Sequence, residues 1–442
     1  MLWMSHESPE VGSSSRALPI GRPELGRSGL SGYRVALRVR PFRRLFIGQA
    51  LSGLGDGCGF VAVAWLALQL AAPPQRPYAV GLAMAAYSLP GAVVGLGMAG
   101  RLATLPIPGL LIADAALRGL LLGAIPILWA AGTVPLWAYI TLLAGSSLLA
   151  SIGRGGYVTV VADHVAEPHR FAANSLLGST EAVTVTLVGP ALGGVLVATA
   201  GAPVTLGIDA ASFIGLLWAA LALPNARRPR TSRPQPVRLR SVLRRPLIAW
   251  LLALTVVFYG LYGPFETALP VYVHSTLHAG AALYGAMWAS FGGGALIGSF
   301  LAGTRTIEKV EAFAVVVVAG WGVCVILVGA ITIPAVIAAG MAVGGLIYAP
   351  YPAITTTTLQ RLLPSGELAA GAAGWFALLT LVTPATTAAG GPLVAAIGAR
   401  CAIVASGAAT VALAVLVTAI HQRSQQRHRQ MPMPTPDRPP QA

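Results

Sequence analysis

The chain has 442 residues, of which 55% are hydrophobic and only 10% charged, and its mean hydropathy is +0.73. A soluble domain carries about 25% charged residues to cover its surface, so these proportions exclude a soluble enzyme and a disordered protein. The net charge of +15, from 29 Lys and Arg against 14 Asp and Glu, does not indicate a nucleic-acid-binding domain, because the basic residues sit between long apolar runs instead of along a soluble face.

In chain order, residues 1–44 read as a basic polar tail, lacking the compact apolar stretch and small-residue cleavage site of a secretory signal. Apolar segments of the about 20 residues needed to cross a bilayer then begin near Leu45, Tyr78, Pro108, Val134, Phe171 and Ala202. A linker at residues 224–246 holds eight arginines, five prolines and no acids. Six more segments begin near Leu247, Ala281, Val310, Ile333, Gly366 and Arg400, and residues 421–442 form a second polar tail. Transmembrane strands would alternate apolar and polar residues, and these runs do not. The expected fold is therefore an all-α polytopic membrane protein with 12 transmembrane helices. They form two six-helix bundles, residues 45–223 and 247–420, with the small residues between them allowing close helix approach. Cys58, Cys324 and Cys401 lie far apart in apolar stretches and show neither disulfide nor metal spacing.

Basic residues flanking the spans set orientation. Of the 29, 26 fall on one side, namely both tails, the linker, Arg101, Arg154, Arg170, Arg305, Lys309 and Arg361. Arg76 and Arg400 lie opposite, and Arg118 is inside a span. Both termini are thus expected in the cytoplasm of a multi-pass cell-membrane protein, with the linker anchored against anionic headgroups. Paired echoes suggest related halves. Gly97-Met-Ala-Gly-Arg101 matches Leu301-Ala-Gly-Thr-Arg305. Pro168 to Asn174 matches Pro364 to Gly371, and Gly189-Pro190 matches Gly391-Pro392, all at offsets near 200.

Four stretches now carry a family resemblance. Span 1 opens Pro41-Phe-Arg-Arg-Leu-Phe46 and continues to Leu54-Gly-Asp56. Span 5 holds Gly189-Pro190-Ala-Leu-Gly193-Gly194, span 6 Ile208-Asp209-Ala-Ala-Ser-Phe213, and the loop before span 11 Leu359-Gln-Arg-Leu-Leu-Pro364. Over about residues 40 to 420 the chain resembles the major facilitator superfamily, in its 12-span drug-, siderophore- and macrolide-efflux branch. The span 5 glycines resemble that family's antiporter motif. The resemblance departs at the loop after span 2, where the family has Asp-Arg and a downstream basic pair; here Gly100-Arg101 is followed by Leu-Ala-Thr-Leu-Pro. The family's cytoplasmic latch is accordingly in doubt.

Ionisable groups inside a membrane cost at least about 2.5–3.5 kcal/mol each on insertion scales, so the acids within spans are the candidate functional groups. Asp114 and Arg118, four apart on one helix, read as a structural ion pair. Asp209, near one end of span 6, reads as reaching the interface or capping a neighbouring helix. Gln49, Ser52 and Asp56 form a polar stripe at i, i+3 and i+7. Tyr259, Tyr262 and Glu266 repeat that spacing on span 7, and Asn174, Gly178 and Glu181 share a face of span 5 with Thr184 beside it. Ser147, Ser151 and Arg154 align on span 4, and Tyr348, Tyr351, Thr355 and Thr358 on span 10. Spans 1, 4, 7 and 10 line the cavity in the family, so the resemblance implies that these stripes bound a solute site. The tyrosines offer apolar faces with polar tips and cation–π attraction.

The expected function is export of a small amphipathic solute by alternating access. A carboxyl holds its proton in a dry site and releases it when wetted, so Glu181 or Asp56 is expected to exchange a proton for the solute. The membrane potential supplies ~2.3 kcal/mol per charge per 100 mV. The seven histidines lie outside the mid-spans, so neither catalysis, a metal nor a cofactor is expected. The partners are the lipid bilayer, a small-molecule solute and protons, with no nucleic acid, and the chain is expected to be a monomer. A uniporter or symporter of the same fold, a lipid translocase and a non-transporting scaffold remain open.

Overall fold

Apolar runs this long have no water in a bilayer to satisfy their backbone, so each must pair its N–H and C=O groups internally as helix. The computed structural model describes residues 28–102, 105–224, 245–303, 309–363 and 365–430, and is helical nearly throughout them, with no strand. Helix α1 (Ser28–Arg38) precedes α2 (Arg40–Leu70). Then come α3 (Arg76–Ala86), α4 (Leu89–Leu102), α5 (Ile107–Ala130), α6 (Leu136–Ser147) and α7 (Ala150–His164). Helix α8 (Glu167–Glu181) passes through a π-helical segment, Ala182–Val188, into α9 (Gly189–Ala200), and α10 (Ala202–Leu221) ends the first half. The second half holds α11 (Pro246–Ser275), α12 (Ala281–Gly303), α13 (Val310–Ala330), α14 (Pro334–Tyr348) and α15 (Pro350–Leu362). It closes with α16 (Ser365–Ile397) and α17 (Ala399–Gln430).

Proline opens many of these helices, where its fixed φ suits the first turn and its missing N–H costs nothing. Gly201 (φ 89°) and Gly398 (φ 82°) turn the chain between α9 and α10 and between α16 and α17. Both occupy backbone conformations that glycine alone adopts without strain. They stand 197 residues apart, the offset of the sequence echoes.

Eleven helical stretches among the described residues are long and apolar enough to cross a membrane, against the twelve expected. The fourth segment makes the difference. It breaks between Ser147 and Ala150, leaving α6 with 12 residues, about 18 Å at 1.5 Å per residue against a hydrocarbon core of about 30 Å. Two tail boundaries also differ. Residues 28–38 are helical, and Ala36 and Phe42 pack with Val161, Val165, Ala173 and Leu177 in a small second core. At the other end α17 continues past residue 420 to Gln430. Residues 1–27, 431–442 and 225–244, the last covering most of the linker, lie outside the described residues.

Within the first half, α2 packs against α9 and α10, and α5 against α10; in the second, α11 packs against α16, and α13 against α17. The halves meet along two seams. Glycines of α3 and α16 face each other in one, where a Cβ at Gly81 would fall 3.0 Å from the Thr387 carbonyl oxygen. In the other, α9 lies on α12, and a Cβ at Gly194 would fall 2.8 Å from the Ala281 carbonyl oxygen. Both seams sit toward the ends that carry Arg76 and Arg400. Among the described residues no packed seam joins α7 or α8 to α15 at the opposite, arginine-rich ends. The two halves therefore form a wedge, closed on the arginine-poor side.

Backbone this close leaves no room for a larger side chain. Gly194→Leu is expected to lower stability by about 1–3 kcal/mol, the usual cost of overpacking, or to separate α9 from α12. Thermal unfolding of the purified protein in detergent checks the first outcome. Cross-linking of cysteine pairs placed across the seam checks the second.

Candidate functional site

Four of the apolar segments depart from regular α-helix in mid-course, and the departures surround one space. Helix α3 ends at Ala86 and α4 restarts at Leu89; α6 ends at Ser147 and α7 restarts at Ala150. The π segment interrupts α8 and α9, and Ala349 separates α14 from α15. Irregular backbone is tolerated at membrane depth where it lines a cavity or where side chains satisfy the freed groups. Both conditions hold here. Ser147 Oγ donates to the Ala86 carbonyl across the first two breaks (3.0 Å), and Thr184 Oγ1 donates to the Thr180 carbonyl at the π segment (2.8 Å).

The space is a cavity of about 500 Å³ between the halves. Gln49, Ser52, Asp56, Tyr87, Arg118 and Glu181 line it from the first half, and Tyr259, Glu266, Phe376, Thr383 and Thr387 from the second. Arg118 organises the first wall. Its Nε lies 3.2 Å from Asp114 Oδ1 and its Nη1 3.1 Å from Asp56 Oδ1, while its guanidinium stacks 5.2 Å from the Phe213 ring centre. The Tyr87 hydroxyl, placed at the break after α3, lies 3.1 Å from Asp56 Oδ1 and 3.4 Å from Asp209 Oδ2. Five side chains from four helical segments thus form one continuous polar network.

The second wall is aromatic. A pocket of about 270 Å³ adjoins the cavity and shares Phe60, Val185, Tyr259, Glu266 and Thr383 with it. Phe258, Tyr262, Trp288, Phe291, Trp321 and Tyr348 supply the rest of its apolar surface. The rings meet edge-to-face or tilted, as for Phe291 and Trp321 (centroids 5.4 Å apart, 75°) and Phe60 and Trp288 (5.3 Å, 89°), the arrangements that aromatic quadrupoles favour. Tyr259 and Tyr348 share a hydrogen bond between their hydroxyls. Glu266 is the one carboxylate lining this pocket, and Thr387 Oγ1 donates to its Oε2 at 2.8 Å. A box of ring faces with a single carboxylate at its rim can hold an apolar solute that bears a positive charge.

The sequence profile of the major facilitator superfamily matches residues 45–312. The chain belongs to this superfamily. Comparison with curated proteins finds no match. Among solved structures, the fold is similar to that of the nucleoside transporter NupG (TM-score 0.61, 13% identity, 85% of this chain and 99% of that one). It is also similar to a bacterial homologue of the human lysosomal transporter Spinster in an inward-facing, unoccupied conformation (TM-score 0.64, 10% identity, 89% and 98%). This member of the superfamily is thus an integral membrane protein with a transporter fold.

Of the residues singled out from sequence, Gln49, Ser52, Asp56, Ser151, Glu181, Tyr259 and Glu266 line the larger cavity, and Tyr262 and Tyr348 the aromatic pocket. Tyr351 lines neither: it is buried behind Phe258, where its hydroxyl pairs with Thr255 Oγ1 at 2.8 Å. Asn174 also lines neither, being exposed on α8 about two turns from Glu181. Gly189, Pro190, Gly193 and Gly194 fall where α9 meets α2 and α12, and a Cβ at Gly193 would lie 2.6 Å from Cys58 Cα. Gly100 and Arg101 close α4, and their side chains, like that of Arg154, lie outside the described residues.

Two readings change. The Asp114–Arg118 pair is not self-contained, because Arg118 also reaches Asp56 on another helix. Asp209 does not reach an interface; it is fully buried, between α10 and α2. Tyr87, Trp288, Phe291 and Trp321 were not legible as site residues. Tyr87 and Trp321 lie on no polar stripe, and Trp288 and Phe291, three apart on α12, share a face with no acid or base to mark it.

Removing the cation from a buried network strands its anions, at a cost of about 3–5 kcal/mol where burial is complete. Arg118→Gln is expected to destabilise by less than this, since Asp56 partly faces the cavity. Adding Asp56→Asn to Arg118→Gln is expected to restore part of the loss. Unfolding midpoints of the single and double variants measure the coupling.

Proposed function

We propose that the chain is a secondary exporter of small amphipathic cations, working by alternating access between two six-helix bundles in exchange for protons. In this reading α6 and α7 together make the twelfth crossing, which returns the chain to the arginine-rich side. That side is cytoplasmic by the positive-inside rule, so both termini are cytoplasmic in the cell membrane and the wedge stands open inward. The chain acts as a monomer, since each step needs only its own two halves.

The observation that carries this reading is the division of the interface cavity, a carboxylate–guanidinium network on one wall and an aromatic box with Glu266 on the other. A cationic solute in the box pairs with Glu266 and gains cation–π contact, about 0.5–2 kcal/mol per favourable ring. A proton taken up by the facing carboxylates balances the charge that leaves. The glycine seams serve as the outer gate, and their separation admits release on the far side. The chemistry of these walls supports a cationic cargo and proton exchange, and the efflux direction rests on the resemblance in sequence.

Ethidium is a suitable probe, being planar, aromatic and singly charged. Inverted vesicles carrying the protein are expected to accumulate ethidium when acidified inside. Glu266→Gln is expected to weaken this at least tenfold, in line with about 2–5 kcal/mol for losing one partner of a desolvated charge pair. Asp56→Asn and Glu181→Gln are each expected to abolish the dependence on the pH gradient. Gradient-driven accumulation that persists undiminished in both variants overturns proton coupling through these carboxylates.

A further inference from the structure

Donor counting in the first wall gives Asp209 a protonation state that neither the sequence pattern nor the family assignment supplies. Tyr87 has one hydroxyl hydrogen, yet its oxygen lies within hydrogen-bond distance of two carboxylates, Asp56 Oδ1 at 3.1 Å and Asp209 Oδ2 at 3.4 Å. A hydroxyl donates once and accepts twice. If both aspartates were ionised, one of these contacts would set two oxygens together with no hydrogen between them. Asp56 is the anion of the two, because Arg118 Nη1 stands 3.1 Å from its Oδ1. Asp209 has no ion pair among the described residues, it is 0% exposed, and its Oδ1 has no hydrogen-bond partner. A bare carboxylate in such a place is among the costliest things a protein can bury.

We propose that Asp209 is the proton-holding residue of this protein, a neutral acid in the conformation seen, hydrogen-bonded through Oδ2–H to Tyr87. The groups facing it are few. Helix α2 presents Asp56 and Cys58, α5 presents Asp114 and Arg118, the break after α3 presents Tyr87, and α9 presents no titratable side chain. Arg44, stacked 5.5 Å from Trp218, lies more than two turns further along α10. One guanidinium thus pairs with two of three carboxyls, and the one it does not touch keeps the proton.

The hydrogen bonds also define a path. The Asp209 proton passes from Oδ2 to the Tyr87 oxygen while the Tyr87 hydrogen passes to Asp56 Oδ1, leaving Tyr87 neutral and moving one proton from a sealed site to a cavity-lining one. Loading runs in reverse. Gly55 and Gly59 of α2 permit the arrangement, since a Cβ at Gly55 would lie 2.8 Å from Asp209 Oδ1 and one at Gly59 would lie 3.0 Å from Asp209 Cγ. The role in transport rests on the proton-coupled reading above; the protonation state does not.

Infrared difference spectroscopy of the full chain in phospholipid nanodiscs tests the proposal, with isotope-labelled aspartate to separate its bands from those of glutamate. One protonated aspartic carbonyl band is expected at neutral pH in the wild type and in Asp56→Asn, and its loss in Asp209→Asn. Absence of the band from the wild type, or its survival in Asp209→Asn, overturns the proposal. Should Asp209→Asn fail to fold, Tyr87→Phe decides: losing the acceptor is expected to move the band to higher wavenumber, and an unmoved band overturns the assignment. The readout needs no solute. A wild type that shows the band but pumps no ethidium in inverted vesicles sinks the export reading and leaves the proton site standing. Gradient-driven ethidium uptake that survives in Asp209→Asn keeps export and removes Asp209 from it.

Discussion

Arg118 is the contact on which the first half depends. A guanidinium cannot shed its charge in a protein, so its presence inside a membrane-spanning helix obliges the surrounding helices to bring anions to it. Asp114 comes from the same helix at no topological cost, but one carboxylate leaves donors unsatisfied. The second, Asp56, must be carried by α2. That ties α2 to α5, Tyr87 ties the α3 break to Asp56, and the glycine face of α2 lets α10 close over the network. The cavity wall is a consequence of satisfying one cation in a medium without water.

The helix breaks follow from the same constraint. A straight helix buries its backbone polar groups automatically, so a break must be matched by new partners or by water. Ser147 serves the Ala86 carbonyl from an adjacent break, and this pairing holds the end of α6 against the end of α3. The π segment adds a residue to the turn after Glu181, a distortion that recurs at functional sites. Here it sets Glu181 and Val185 toward the cavity and Thr186 and Pro190 toward the aromatic pocket.

The all-helical, membrane-spanning character and the shared faces of the polar stripes on spans 1 and 7 could be read from sequence, because each rests on long apolar runs or a local periodicity. Gln49, Ser52 and Asp56 share a face by spacing alone. What spacing cannot give is which face of one helix meets which face of another. Tyr87, Trp288 and Trp321 join the site only through tertiary packing. Asp209 looked interfacial because distance along the helix was the only depth gauge, and the glycine face that buries it belongs to a different segment. The fourth span was counted whole because composition does not register the break at Leu148 and Leu149. Tyr351 failed for a related reason: it shares the stripe of Tyr348, but Thr255 and Phe258 of a neighbouring helix enclose it.

The two walls are unlike, and the difference bears on how the proposed exchange is coupled. The first half holds its charges in fixed hydrogen-bonded geometry and offers a solute little apolar surface. The second offers rings and one carboxylate, Glu266, which accepts a hydrogen bond from the neutral Thr387 hydroxyl. In the proposed exchange, solute and proton bind to different halves across one shared space. Coupling then requires no competition for a single carboxylate. It requires only that the wedge closes more readily when the net charge between its faces is small, because closure removes the water that screens them. A cation beside Glu266 with the proton gone from the facing network, and the proton bound with the box empty, give the walls the same net charge, whereas both ligands together or neither shift it by one unit in opposite directions. Two singly loaded states matched in charge are what lets one conformational change be steered by two ligands that never touch.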